Sequence, residues 1–310
     1  MTTNHSSSTR TRRRSGLILA ALSVPMIAAS AFAPAASAGA DPSVSPGTES
    51  SLPDPAQPLA GRHIYLDPGH QAVTEPATHT VTDGRGGQKP CQAPGTHARD
   101  GWPEHTFTWL MGQELKSQLE HLGARVSLTR QDDTGPADCI DTRALKENAS
   151  DADLVISIHA DINKEGNRGF HVSPVKDPLP QNKGPESMDL AKDVRDGLVD
   201  EGFQTSNYLG VDGINPRDDL TGLNLSTKPK ALVEFGNMQD SQDIAVLKDA
   251  HGRERLAHGV VDGVESYLGV RGTTAPRLVV ARRGWGRPGR RGDRAHGTPT
   301  TAPSSRTARH

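Results

Sequence analysis

Three short and nearly continuous apolar segments limit what this chain can fold into. They are residues 63–67 (HIYLD), 153–159 (DLVISIH) and 231–235 (ALVEF). Strands that are apolar throughout, rather than alternating, are typical of parallel sheets, because helices cover both faces of such sheets. The segment 153–159 shows this pattern most clearly. These segments therefore predict strands in the interior of a sheet.

Amphipathic helices separate the predicted strands. The first spans about 104–122, between Pro103 and Gly123, and its apolar residues recur at steps of three and four. Those residues are Phe107, Met111, Leu115, Leu119 and Leu122. Further helices are predicted at 141–149, 185–201, 239–249 and 252–268, and further strands at 125–129 and 169–175. The alternation predicts an α/β fold with a mostly parallel sheet and helices on both faces.

Composition divides the chain into four parts. Residues 1–38 combine a basic start, an apolar stretch and the sequence Ala36-Ser37-Ala38, which predicts a cleaved export signal. An uncleaved anchor is the alternative, although the stretch is marginal in length for a membrane span. Residues 39–60 are predicted to be a disordered linker, 61–270 the folded domain and 271–310 a disordered basic tail. The mature protein is expected outside the membrane, in the cell wall, periplasm or medium, without a membrane span and as a monomer.

Charge and cysteine content narrow the function classes. The tail holds ten Arg and one Asp although the whole chain has a net charge of −2, so the folded domain is acidic. An acidic domain is not typical of nucleic-acid binding, and no nucleic acid is expected as a partner. The two cysteines, Cys91 and Cys139, indicate one disulfide in an exported protein. Two free thiols are the alternative.

Four polar residues lie where the chemistry of such a fold is usually found. His70 follows the first strand, His159 ends the strand 153–159, Glu234 lies near the end of the strand 231–235, and Glu104 opens the first long helix. Binding sites in open α/β sheets form at the carboxyl ends of strands. Each residue also has an ordinary structural explanation: a turn, a buried histidine or, for Glu104, a favourable helix N-terminus. Glu234 is the hardest to explain this way, since a carboxylate in an apolar strand is costly without a partner.

Together the four residues match a known kind of metal site. Two histidines and a carboxylate bind zinc and leave one position open for water, and a further carboxylate can serve as general base. The chain has no HExxH motif, so this is not the common helical metalloprotease arrangement. The sequence therefore predicts a zinc site at the carboxyl edge of the sheet.

At this point the sequence resembles the zinc-dependent N-acetylmuramoyl-L-alanine amidases of the third amidase type. The resemblance covers about 62–268 and rests on IYLDPGHQ, WPEHTF, DLVISIHAD, DDLTGLN and ALVEFGNM, in family order. It implies a mixed sheet of about six strands, Zn²⁺ bound by His70, Glu104 and His159, and Glu234 as the catalytic carboxylate. The implied reaction is hydrolysis of the amide between N-acetylmuramic acid and L-alanine, with peptidoglycan or muropeptides as substrate.

The chain departs from the family pattern near the first ligand. Gln71 and Ala72 follow His70 where many members have two glycines, and the segment 71–103 is unusually long. Glu75 and His79 are therefore alternatives to Glu104 as the next ligand. A Cys91–Cys139 bridge would tie this long loop down beside the metal.

The resemblance also implies that the segment 217–224, RDDLTGLN, lines the groove for the stem peptide. We predict Asp219, Leu220 and Asn224 as contacts, with an ordinary capped turn as the alternative, and we predict that His171 reaches the site. Two other functions stay open: zinc hydrolysis of another amide, such as that of an N-acetyl sugar or a soluble muropeptide, and a non-catalytic cell-wall-binding module.

Overall fold

A five-stranded sheet forms the centre of the domain. The computed structural model describes residues 57–73 and 79–271. The sheet contains β1 (His63–Pro68), β4 (Arg125–Leu128), β5 (Leu154–Asp161), β6 (His171–Ser173) and β7 (Lys230–Asn237), in the order β4-β1-β5-β7-β6. All neighbours are parallel except β6, which runs antiparallel to β7. The predicted mixed, mostly parallel sheet is confirmed, with five strands rather than six.

Six helices surround the sheet within the described part of the chain. They are α1 (Glu104–His121), α2 (Ile140–Ala149), α3 (Gly184–Asp200), α4 (Thr221–Asn224), α5 (Ser241–Lys248) and α6 (Ala250–Tyr267). Helices α1, α3 and α6 pack on one face, where side chains such as Ile64, Ile156 and Val233 join the main hydrophobic core. Their apolar spacing explains this arrangement, since residues three and four apart share one face of a helix.

The other face of the sheet has a different composition. Successive strand residues point to opposite faces, so Tyr65, Val155 and Leu232 lie away from the main core and form only small apolar clusters. Helices α2 and α4 lie on this side. His159 and Glu234 alternate with main-core residues Ile158 and Val233, and therefore project from this second face.

Two predicted boundaries differ from the structure. The segment 71–103 is not all loop, because it contains an antiparallel hairpin of β2 (Thr80–Thr82) and β3 (Gln88–Pro90). The sequence Asp83-Gly84 between these strands is a hairpin signal that the sequence analysis missed. The strand predicted at 169–175 is only three residues long, His171–Ser173, and lies at the edge of the sheet beside β7.

The folded domain begins before Gly61. Leu59 is fully buried in the main core and its amide donates to the carbonyl of Leu122. The predicted export signal, most of the predicted linker and all of the tail beyond Arg271 lie outside the described residues. Among the helices that are described, none has the length and apolar character needed to cross a membrane.

Candidate active site

His70 is held in an unusual backbone conformation just after β1. Its φ of 63° lies in the left-handed region, which costs a non-glycine residue about 1–3 kcal/mol. Surrounding contacts fix it there: Arg143 donates to its carbonyl at 2.6 Å, and its ring Nδ1 lies 3.0 Å from the carbonyl oxygen of Ala93. Nδ1 must carry the proton in that bond, so Nε2 is left as the ligand atom.

His159 lies directly against the glycine that precedes His70. The amide of Gly69 donates to the carbonyl of Ile158, and a Cβ atom at position 69 would lie only 2.3 Å from the ring of His159. Real Cβ atoms do not approach other heavy atoms this closely, so the turn after β1 requires glycine here. The glycine lets the two imidazole rings meet, with their centroids 4.9 Å apart.

Glu104 is the carboxylate that the structure brings to the two histidines. At the start of α1 its Oε2 accepts from the amide of Thr96 at 2.8 Å, and its Oε1 accepts from the amide of Ala160 at 3.1 Å. Of the alternatives, Glu75 lies outside the described residues, and His79 lies beside the Cys91–Cys139 disulfide, with its Nε2 3.3 Å from the Sγ of Cys139.

The three side chains form a compact donor set. Glu104 Oε1 lies 3.0 Å from His70 Nε2 and 3.1 Å from His159 Nδ1, and the two nitrogens are 3.2 Å apart. Tetrahedral ligands about 2.0–2.1 Å from zinc would be about 3.4 Å apart, so small movements would fit these atoms to a metal ion. Burial raises the pKa of Glu104, but the charge of His70 and hydrogen bonds from His159 and His70 outweigh it and lower that pKa well below its ordinary value.

Glu234 lies next to this donor set on the same face of the sheet. It is in register with His159 across the β5–β7 pair, and both line one cavity. Burial, with the negative charges of Glu104 and Asp161, raises the pKa of Glu234 well above its ordinary value, while Arg217 opposes this shift. A carboxyl group with a raised proton affinity beside a metal centre suits general acid–base chemistry.

The cavity over these residues has a volume of about 660 Å³. One wall comes from the long loop, through residues such as Lys89 and Gln92, and the other from the segment before β7. The predicted Cys91–Cys139 disulfide is present and anchors that loop to the start of α2. Gln71, which departs from the family pattern, accepts from the amide of Ala137 and so ties the turn after β1 to the same region.

The four residues predicted as substrate contacts differ in burial and in whether they line the cavity. Leu220 lines the cavity, and Asp219 is exposed and accepts from both Nε and Nη2 of Arg217 at 2.7 Å. Asn224 is fully buried and bonds to the carbonyls of Asp83 and Asp218, where it fixes the hairpin. His171 is 1% exposed. A substrate could therefore touch Asn224 or His171 only if their side chains were uncovered.

Sequence reasoning missed Arg217 and Lys230. Both line the cavity, and Arg217 lies within the quoted segment RDDLTGLN. A lysine that opens an apolar strand was the available signal for Lys230. Buried lysines need partners, and the ammonium of Lys230 lies 2.7 and 2.9 Å from the two carboxylate oxygens of Glu147.

Comparisons with known proteins identify the family of this chain. A family model described as N-acetylmuramoyl-L-alanine amidase matches residues 64–266. The N-acetylmuramoyl-L-alanine amidase Rv3717 of Mycobacterium tuberculosis is 40% identical over 215 residues, which cover 69% of this chain and 89% of that protein. A similar solved structure is that of Ami1, an N-acetylmuramyl-L-alanine amidase from Mycobacterium smegmatis. It has 39% sequence identity and a TM-score of 0.67, and the match covers 68% of this chain and 98% of the Ami1 chain. Ami1 from Mycobacterium abscessus has 44% identity and a TM-score of 0.66, with 68% and 100% covered.

Fold and site together describe an enzyme of α/β architecture with a candidate metal centre at the carboxyl edge of its sheet. The chain belongs to the N-acetylmuramoyl-L-alanine amidase family, since the family model spans most of the folded domain. Its activity is the hydrolysis of the amide between N-acetylmuramic acid and L-alanine in peptidoglycan. The predicted family and enzyme class are confirmed, which excludes the non-catalytic binding module.

Proposed function

We propose that this amidase is exported, uses zinc held by His70, Glu104 and His159, and moves protons through Glu234. The observation that carries this proposal is the donor set with atoms 3.0–3.2 Å apart, beside a carboxyl group in the same cavity. Export rests on the sequence of residues 1–38. Peptidoglycan outside the membrane is the substrate that such a location supplies.

The donor chemistry fits zinc. Two imidazole nitrogens and one carboxylate are a known ligand set of catalytic zinc. The bond from His70 Nδ1 to the Ala93 carbonyl supports this assignment, because metal-binding histidines usually donate their second nitrogen to such a group. A bound zinc ion would act as a Lewis acid that polarises a carbonyl and lowers the pKa of water.

Glu234 is proposed as the proton carrier. Its Oε2 is buried, which leaves Oε1 for exchange with groups in the cavity. We propose that Oε1 takes the proton from the attacking water and gives it to the departing nitrogen of L-alanine. A raised pKa favours this role, since the carboxyl group must hold the proton between the two transfers.

The test replaces Glu234 with glutamine. Glu234→Gln keeps the shape of the side chain but not its proton chemistry, so we expect kcat to fall by roughly 10²- to 10⁴-fold with unchanged zinc content. The measurements are metal analysis and the release of new L-alanine amino termini from purified peptidoglycan with intact glycan strands. Glu165→Gln, on an exposed glutamate paired with Arg99, is the matched control and should keep wild-type activity.

Two outcomes would contradict the proposal. Glu234→Gln with wild-type turnover would remove Glu234 from the proton path. Full turnover by wild-type protein that contains no zinc would reject the proposed metal. Comparing polymeric peptidoglycan with soluble muropeptides in the same assay decides which form is the better substrate.

A further inference from the structure

Two neighbouring residues at the candidate active site carry buried polar atoms that lack hydrogen-bond partners. Both ring nitrogens of His171 and the Oε2 atom of Glu234 are buried without a hydrogen-bond partner among the described residues. The large majority of buried side-chain polar atoms in proteins are hydrogen-bonded, and an unpaired one costs about 1–3 kcal/mol. Three such atoms on two neighbouring residues therefore need an explanation.

Strand pairing places the two side chains side by side. His171 in β6 is directly opposite Glu234 in β7, and His159 in β5 is opposite Glu234 on its other side. Directly opposite residues project from the same face, with Cβ atoms about 4.5–5.5 Å apart in an antiparallel pair. His171, Glu234 and His159 thus form one row across the sheet, and His171 is the member farthest from the donor set.

The other polar groups near His171, on Asp161 and Arg217, already have hydrogen-bond partners. The carboxylate oxygens of Asp161 accept from the amide of Ile162 and the hydroxyl of Tyr208. Arg217 donates from Nε and Nη2 to the carboxylate of Asp219. Glu234 Oε2 belongs to the residue directly opposite His171 and is a carboxylate oxygen that no other described group engages.

We propose that His171 is a positioning residue that donates a ring N–H to Oε2 of Glu234, directly or through one ordered water. This bond fixes the plane of the carboxyl group and aims Oε1 into the cavity. The inference rests on the proposed role of Glu234 and extends it to a residue that is 1% exposed and does not itself meet substrate. It gives His171 a different role from the predicted substrate contact, which stays a prediction.

The experiment compares two substitutions that differ in hydrogen bonding. His171→Phe fills the buried space without a donor, and we expect kcat to fall by roughly 10- to 100-fold with KM within about twofold and unchanged zinc content. His171→Gln retains an N–H donor and should recover most of the lost kcat. Ser173→Ala, on the same face of β6, is the control and should keep wild-type kinetics.

Three results would overturn the inference: wild-type kcat in His171→Phe, equal loss in the Phe and Gln variants, or a loss that follows zinc content. Imidazole ¹⁵N NMR of the wild type tests the same bond even if His171→Phe does not fold. We expect a slowly exchanging ring proton on His171 that shifts in Glu234→Gln, and its absence would count against the bond. An inactive Glu234→Gln combined with a fully active His171→Phe would reject this inference and leave the proposed function intact.

Discussion

At the scale of single residues, the donor set depends on two adjacent backbone positions. Gly69 leaves room for the ring of His159, and His70 adopts a left-handed φ that turns its own ring toward Glu104. Two hydrogen bonds hold His70 in place, and two more hold the carboxylate of Glu104. Strain of this kind persists only where surrounding contacts enforce it.

Gly69→Ala tests this dependence. The new methyl group would overlap the ring of His159, so the ring must move away from Glu104. We expect zinc affinity and activity to fall by roughly 10- to 100-fold, as is typical when the support of a metal ligand is lost. Gly135→Ala, where the nearest atom to the new Cβ is 3.5 Å away, is the control. Metal titration and turnover give the answer, and an unchanged zinc affinity would show that the ring tolerates the methyl group.

At the scale of elements, a buried charge cluster joins α2 to the second face of the sheet. Lys230 of β7 pairs with Glu147 of α2 and lies 3.5 Å from Asp67 of β1, which in turn accepts from Arg143 of α2 at 3.0 Å. Burial raises the pKa of Glu147 to about 7, while Lys230 counteracts that effect. The cluster replaces an apolar core on this face and holds β1 and β7, which carry the site, against α2.

Lys230→Met should destabilise the domain in a pH-dependent way. It leaves the buried Glu147 without its cation, which costs about 3–5 kcal/mol when the carboxylate is charged. A carboxyl group with a raised folded-state pKa adds stability below its unfolded pKa and loses it as pH rises through the folded value. The loss of unfolding free energy in Lys230→Met, relative to the wild type, should therefore be large at pH 8 and smaller at pH 5. Urea unfolding at both pH values measures it, with Lys228→Met as control; an equal deficit at both would contradict this account.

At the scale of the whole domain, the site joins segments that are far apart in sequence. The turn after β1, the start of α1, and strands β5 and β7 each contribute one of the four residues. A metal ion that binds only this assembled arrangement stabilises the folded state by mass action. Metal binding and domain stability should therefore be coupled.

Removal of the metal tests this coupling. Dialysis against a chelator should abolish amidase activity and lower the melting temperature, and stoichiometric Zn²⁺ should restore both. Mg²⁺ should restore neither, because it prefers oxygen ligands in octahedral geometry. The measurements are calorimetry and turnover on the same samples, and full activity in metal-free protein would reject the proposed zinc requirement.

Local patterns in the sequence predicted most of the long secondary-structure elements and three of the four site residues. Apolar runs and helical spacing predicted β1, β5, β7 and the long helices to within a few residues. This is possible because the buried faces of strands and helices require apolar residues at regular positions in the sequence. His70, His159 and Glu234 could be selected because they lie at or near strand ends. The hairpin within 71–103 was missed because its strands are short, polar and exposed.

Only the tertiary structure decided which of these residues meet and what surrounds them. The approach of Glu104 to His70 and His159, the burial of Asn224 and the row formed by His171, Glu234 and His159 depend on how distant elements pack and pair. The charge cluster of Lys230 and Glu147 likewise joins residues 83 positions apart. The sequence by itself determined most of the longer elements and the chemical types of the site residues, since both depend on local periodicity and composition. Their contacts are set by long-range packing, which no local pattern records.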